Sequence, residues 1–220
     1  TLNMVHGEIT PMRYGGNYKS YGPQYPRGIQ EGNGVPADGD LWVSYSVNKE
    51  DMWISRIPVP VEINASAHAD DDFSKNKSIA ELTDWNIYSP VWAPVSLEDQ
   101  WLKLQDKDPF DYAKVERKIP ASKELKVSFD LKAGQNNKGT LQIEFLDENG
   151  IACSRMELTD DGIFRLKGGS RFANMMKYEA GKVYHVEAVL STVDRNIQVY
   201  VDGKRVGLRM FYAPVASIER

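Results

Sequence analysis

The sequence predicts an all-β protein in which antiparallel strands form a β-sandwich. Two observations predict this fold class. Apolar and polar residues alternate over short segments, and in one of them Leu125, Val127, Phe129 and Leu131 would share a face. Turn sequences such as DENG, TDDG, KGG, STVDRN and VDGK separate these segments every 8–14 residues. Short alternating strands at this spacing are typical of a sandwich or barrel with one apolar face packed inside.

Composition and charge exclude several classes of protein. The 220 residues carry a net charge of −4, and no block of Lys or Arg indicates a nucleic-acid partner. The apolar runs are too short for a membrane-spanning helix. The chain has one cysteine, Cys153, which excludes an intrachain disulfide and a cysteine-ligated metal site. We interpret Cys153 as a half-buried thiol on a strand.

The front segment, residues 1–61, combines loops with a hairpin. Residues 1–34 are dense in Gly, Pro, Tyr and Asn, which favours turns, and only 3–9 and 26–31 fit short strands. The following sequence, GDLWVSYSVNKEDMWISRIPVPV, predicts a β-hairpin with the four-residue loop NKED. Pro58 and Pro60 then end its second strand, because proline cannot donate to a ladder.

A polar stretch follows the hairpin. Residues 68–82 are the most polar window of the chain, with a turn of helix predicted at SIAEL. We therefore expect three parts: an accessory β segment over 1–61, an acidic linker over 62–84 and a sandwich over 85–220.

The remaining segments are predicted as strands of the sandwich. The sequence GGSRFANMMK, residues 168–177, is the exception and is predicted as a loop. The predicted strand segments are 85–97, 101–108, 113–120, 124–134, 139–150, 151–162, 163–169, 183–194 and 196–207.

The closing hairpin carries a family resemblance. VYHVEAVLSTVDRNIQVYVDGKRVG, residues 183–207, resembles the last hairpin of concanavalin A-like and laminin-G-like jelly rolls, with Tyr184 at a position usually held by Trp. LKVSFDLKAG and GTLQIEFLDENG fit the same families, and the resemblance covers about 85–220. It implies a jelly roll but leaves function open, because this fold serves lectins, carbohydrate-binding modules, glucanases and adhesion domains.

The front segment carries a second resemblance. NYKSYGPQYPRGIQEGNG followed by the hairpin is similar to the last blade of a sialidase-like β-propeller, as found in secreted Bacteroidetes glycosidases that end in a jelly roll. The resemblance covers about 2–61 and implies a missing N-terminal propeller and a periplasmic or extracellular location. The Asp-box repeat of sialidases is absent from this chain, which argues against sialidase activity of its own.

Six residues of the front segment are candidates for binding carbohydrate. An arginine can bind a sugar carboxylate with two hydrogen bonds, a histidine can exchange protons, and tyrosine rings can pack on the C–H face of a pyranose. The alternative is that they are polar loop residues and rings that fill gaps between blades. The candidates are His6, Arg13, Tyr14, Tyr21, Tyr25 and Arg27.

The sandwich offers no catalytic pair. A glucanase of this fold needs two facing carboxylates on an E-x-D-x-E or E-x-D-x-x-E strand, and neither spacing occurs. The acidic residues considered on predicted strands are Glu116, Asp130, Glu144, Glu157 and Glu187. Catalytic residues therefore stay unknown, and the chain alone is not expected to be catalytic.

No metal site or cofactor is predicted. Asp70, Asp71 and Asp72 lack the spacing of an EF-hand and are interpreted as part of a solvated linker. A structural calcium ion bound through turn aspartates, as in some jelly rolls, has no support in the sequence. The five tryptophans are interpreted as structural rather than as ligand platforms.

We therefore expect the C-terminal portion of a secreted carbohydrate-active protein, a glycoside hydrolase or a polysaccharide lyase, that acts on an oligo- or polysaccharide. The jelly roll would support the propeller or bind glycan. The chain starts at Thr1 and stops directly after VASIER, which fits a piece of a longer protein. Two alternatives stay open: a stand-alone, non-catalytic glycan-binding or adhesion module, and a single enlarged sandwich that includes the front segment.

Overall fold

A computed structural model describes residues 23–29, 40–57, 69–82, 84–89, 92–107 and 112–220. The described chain is all-β with antiparallel sheets, which confirms the predicted fold class. It forms two compact units, one with the described residues up to Lys118 and the other with Ile119–Arg220. The predicted boundaries of the accessory segment, linker and sandwich stay a prediction.

The first unit contains a three-stranded sheet in the order β1-β2-β3, with β1 Pro23–Ile29, β2 Leu41–Val47 and β3 Asp51–Ile57. The hairpin loop has three residues rather than the predicted four, because Asp51 pairs with Val47. Asn48 and Lys49 both take a φ of 56°, the left-handed backbone that such a tight loop needs.

The rest of the first unit has four short strands: β4 Trp85–Tyr88, β5 Val95–Glu98, β6 Trp101–Leu104 and β7 Lys114–Arg117. β4 pairs with β7, and β5 forms a hairpin with β6. The predicted turn of helix is present as a 3-10 turn over Ile79–Glu81. Leu82, Ile87 and Val95 form the small core that these elements share.

The acidic stretch that precedes β4 is bound to this part of the unit. Arg117 approaches Asp71 at 3.3 Å and Asp84 at 3.0 Å. The indole Nε1 of Trp85 donates to Asp71 at 3.1 Å. Asp71 is nevertheless exposed, as expected for a solvated stretch, and its carboxylate gives the guanidinium of Arg117 a partner.

The second unit is a sandwich of two four-stranded sheets, in the orders β12-β11-β10-β9 and β15-β14-β13-β8. Every described pairing is antiparallel. The strands are β8 Glu124–Lys132, β9 Leu141–Leu146, β10 Ala152–Leu158, β11 Ile163–Gly168, β12 Arg171–Lys177, β13 Val183–Ser191, β14 Asn196–Val201 and β15 Lys204–Met210.

The core of the sandwich lies between the apolar faces of its two sheets. Alternate residues of β13, such as Val186, Ala188 and Leu190, are completely buried, since successive side chains of a strand point to opposite faces. Gly207 on β15 permits a close approach of the sheets, because a Cβ there would lie 2.7 Å from the sulfur of Met175. Apolar contact between the sheets therefore fixes which side of every strand faces outward.

Strand β12 corrects one expectation. Residues 168–177 were predicted as a loop, but Arg171–Lys177 form an edge strand against β11. The register shifts between Phe164 and Arg165, so that Met175 and Met176 both pack against the core. Two adjacent apolar residues that face inward break the alternation by which a strand is recognised in a sequence.

We expect the thiol of Cys153 to be unreactive toward a disulfide reagent in the folded protein at about pH 8. The residue is fully buried rather than half-buried as predicted, and burial raises the pKa of its thiol to about 12. One thiol per chain should react after unfolding in guanidinium chloride. Because the pKa is raised in the folded state, the unfolded thiol ionises first, and stability should decrease above about pH 9. Rapid labelling of the folded chain would contradict this expectation.

Candidate functional site

The outward side of sheet β9–β12 concentrates the polar chemistry of the sandwich. Met156 and Leu158 of β10 point into the core, so Arg155 and Glu157 point outward. The strand register then aligns outward residues across the sheet. We call this surface the β9–β12 outer face; its members are Gln142, Glu144, Arg155, Glu157, Ile163, Arg165, Lys167, Phe172, Asn174 and Lys177.

Glu157 is the buried centre of this face, with 3% of its surface exposed. Arg165, opposite it on β11, donates from Nε at 2.8 Å and from Nη2 at 2.7 Å to the same carboxylate oxygen. Gln142, opposite it on β9, donates at 3.2 Å to the other oxygen. A third partner, Arg155, lies 3.7 Å away. These contacts compensate the burial of the charge and hold both guanidinium groups in place.

Arg155 also binds Glu144, at 2.7 Å through Nε and at 2.6 Å through Nη2. Burial opposes the charge of Arg155, but the hydrogen bond and attraction of Glu144 outweigh it and raise the pKa of the guanidinium. Tyr212, which follows β15, interacts with the same arginine, and burial raises the pKa of its phenol. Its hydroxyl therefore stays protonated at neutral pH and able to donate a hydrogen bond.

Two aromatic rings accompany the cations of the face. The guanidinium of Arg165 lies 4.4 Å from the centre of the Phe172 ring. The Nζ of Lys167 lies 5.8 Å from the Phe172 ring and 4.2 Å from the Tyr212 ring. Distances below about 6 Å are those of cation–π contacts. Within the part of the chain that the structure describes, no carboxylate forms an ion pair with Lys167.

This arrangement is suited to binding rather than to catalysis. Both carboxylates of the face accept hydrogen bonds from arginines, so they are engaged in a cross-strand network. Hydrogen-bond donors and aromatic rings are what the face offers to a ligand. Sugar hydroxyls and their C–H faces are ligands of that chemistry.

The structure describes two of the six predicted carbohydrate-binding residues. Tyr25 is 64% exposed on β1, with the Nζ of Lys49 located 5.8 Å from its ring. Arg27 lies on the same strand, opposite Ser44 of β2, whose hydroxyl donates to the Arg27 carbonyl at 3.4 Å. The other four lie outside the described residues, and the set stays a prediction. They are His6, Arg13, Tyr14 and Tyr21.

The sequence points to the outer face mainly through its acids. Glu144 and Glu157 are two of the five strand acids that lack the catalytic spacing, and Phe172 falls in the segment predicted as a loop, whereas no motif marks Arg165 or Lys167. Alternating charges at 155 and 157 on one predicted strand and at 165 and 167 on the next are the available signal. Which of these charges meet depends on strand register, which the sequence does not specify.

The tryptophans differ in their surroundings. Trp92 is 54% exposed, whereas the other four are half-buried. Trp85 contacts Asp71, Arg117 and Phe73, which is a structural role.

Among the described residues, no group of three or more His, Cys, Asp or Glu side chains could hold a metal ion. No helix among them is long and apolar enough to cross a membrane.

The fold and the outer face define an antiparallel β-sandwich with one cation-bearing polar sheet face. The chain belongs to the family described as "Sialidase-like, CBM domain", where CBM stands for carbohydrate-binding module, and the family model matches residues 85–220. The relation to sialidase-like proteins expected from the sequence is confirmed, and membership supports a glycan-binding role. The laminin-G likeness and the Bacteroidetes source stay predictions.

A solved structure agrees with this assignment. A structure titled "Sialidase" is 91% identical over 100% of this chain, with a TM-score of 0.79. This chain spans 20% of the length of that sialidase. A heptameric SAP-like pentraxin from Limulus polyphemus is 23% identical over 46% of this chain and 52% of its own, with a TM-score of 0.35. The search of curated proteins found no match.

A Trypanosoma rangeli sialidase in complex with the inhibitor DANA is 14% identical over 91% of this chain and 38% of its own, with a TM-score of 0.42. Neither this likeness nor that to the pentraxin is close enough to carry an argument. The family match and the 91% identical sialidase are the informative comparisons.

We expect Glu157→Gln to lower the free energy of unfolding by about 2 kcal/mol, because a neutral amide leaves two partly buried guanidinium groups without their shared carboxylate. Glu144→Gln is the matched control, since it makes the same change at a half-buried position of the same face. We expect it to cost less than about 1 kcal/mol. Urea unfolding of both variants tests this, and equal losses would contradict the central place given to Glu157.

Proposed function

We propose that this chain is the glycan-binding portion of a larger sialidase-like glycoside hydrolase, and that the β9–β12 outer face contacts the glycan. The observation that carries the proposal is the contact of Lys167 with the rings of Phe172 and Tyr212, on the outward sheet face of a carbohydrate-binding-module domain. The ligand is an oligo- or polysaccharide.

The contacts of the face support binding without a large ordering cost. Arg165 is held by two hydrogen bonds to the buried Glu157, and the Phe172 ring lies against its guanidinium. Side chains that are fixed before the ligand arrives lose little conformational entropy on binding. The Tyr212 hydroxyl and the ammonium of Lys167 supply donors beside ring surfaces that can pack against a sugar.

The enzymatic part of the proposal is supported by the 91% identity to one fifth of a sialidase. The catalytic residues would lie in the remainder of the parent chain, which would be an N-terminal propeller, and the enzyme would act in the periplasm or outside the cell. His6, Arg13, Tyr14, Tyr21, Tyr25 and Arg27 would contribute a second contact surface for the substrate. The alternative is a module that binds glycan without a catalytic partner.

Binding of the 220-residue chain to an array of neutral and acidic oligosaccharides tests the proposal. We expect at least one glycan to bind, and we expect Phe172→Ala to weaken that binding about fivefold, because loss of a ring contact costs about 1 kcal/mol. Tyr200→Ala is the control, since it removes a half-buried ring from the outward side of the other sheet. A chain that binds no glycan, or equal losses in both variants, would overturn the proposal.

A further inference from the structure

The charge of the β9–β12 outer face is opposite to that of the whole chain. Four cationic side chains and two carboxylates give the face a net charge of +2, whereas the chain carries −4. The cations are Arg155, Arg165, Lys167 and Lys177, and the carboxylates are Glu144 and Glu157.

The positive charge is concentrated on one half of the face. Both carboxylates lie on β9 and β10, where they bind the arginines. The β11–β12 half holds Arg165, Lys167 and Lys177 together with Asn174, and neither strand contains an acidic residue. Asp161, in the turn before β11, interacts electrostatically with Arg165 but forms no ion pair with Lys167. The ammonium of Lys167 is therefore attracted by two ring faces but, among the described residues, is neutralised by no carboxylate.

We infer that this half of the face selects glycans that carry an acidic group, a carboxylate or a sulfate. The inference rests on the proposed function and names the ligand class of the same site. Lys167 would contact the acidic group directly, beside the guanidinium that Glu157 holds in place. A cluster of cations attracts an anionic ligand, most strongly at low ionic strength. A charge-assisted hydrogen bond to the acidic group is also about twice as strong as a neutral one.

Three probes that share a lactose core test the inference. They are 3′-sialyllactose, which carries a carboxylate, 3′-sulfolactose, which carries a sulfate, and lactose itself, which is neutral. At about 0.01 M salt, where charges act over about 30 Å, we expect at least one acidic probe to bind the wild-type chain about tenfold more tightly than lactose. Raising the salt to about 0.15 M should reduce this preference.

Lys167→Ala should remove the preference for the acidic probe. Lys132→Ala is the matched control, because Lys132 is an exposed strand lysine on the outward side of the other sheet and its loss changes the net charge equally. Comparison of the two acidic probes identifies which group the face prefers.

Equal affinities for lactose and the acidic probes, or equal effects of the two variants, would overturn the inference and leave the proposed function intact. The inference would also be overturned if the chain binds neutral glycans on the array but binds neither acidic probe. A chain that binds no glycan on the array at all would instead overturn the proposed function, and the inference with it.

Discussion

Apolar contact between the two sheets of the sandwich determines where every other group of that unit lies. Once Leu166, Leu190 and Val199 are buried between the sheets, the residues that alternate with them must face outward. Burial of the large side chains of this core supplies the driving force, at roughly 1.5–3 kcal/mol each, against the entropy of ordering the chain. Burial of the apolar residues therefore also orients the polar side chains toward the outside.

Within that surface, one buried carboxylate organises its neighbours. Glu157 points outward because it alternates with the inward-facing Met156 and Leu158 along β10. Its carboxylate is nevertheless covered by the side chains that flank it on β9 and β11. A buried charge is tolerated only with partners, and here the partners are two arginines and an amide. The same contacts that keep the charge from destabilising the sheet also fix the guanidinium of Arg165 against Phe172. The stability of the sheet and the side-chain geometry of its outer face are therefore coupled through one residue.

Period-two patterns made most of the fold predictable. Segment 124–134 alternates strictly and segment 183–194 does so over most of its length, and each forms a strand at the predicted place. Strand β12 was missed because its register shift puts Met175 and Met176 on the core side together. The outer face was missed for a different reason: its residues are distant in sequence and meet only through pairing of four strands. Glu144 and Arg155, for example, are brought together by a hairpin register that composition does not encode.

Strand β12 has a consequence for the behaviour of the protein at high concentration. As the last strand of its sheet, it could template pairing with the same strand of another molecule. Its exposed ends are Arg171 and Lys177, and its backbone is irregular where the register shifts. Like charges and an interrupted ladder both oppose such pairing. Lys177 therefore belongs both to the cationic half of the outer face and to the charges that keep molecules apart, and replacing it together with Arg171 would lower colloidal solubility as well as the charge of that half.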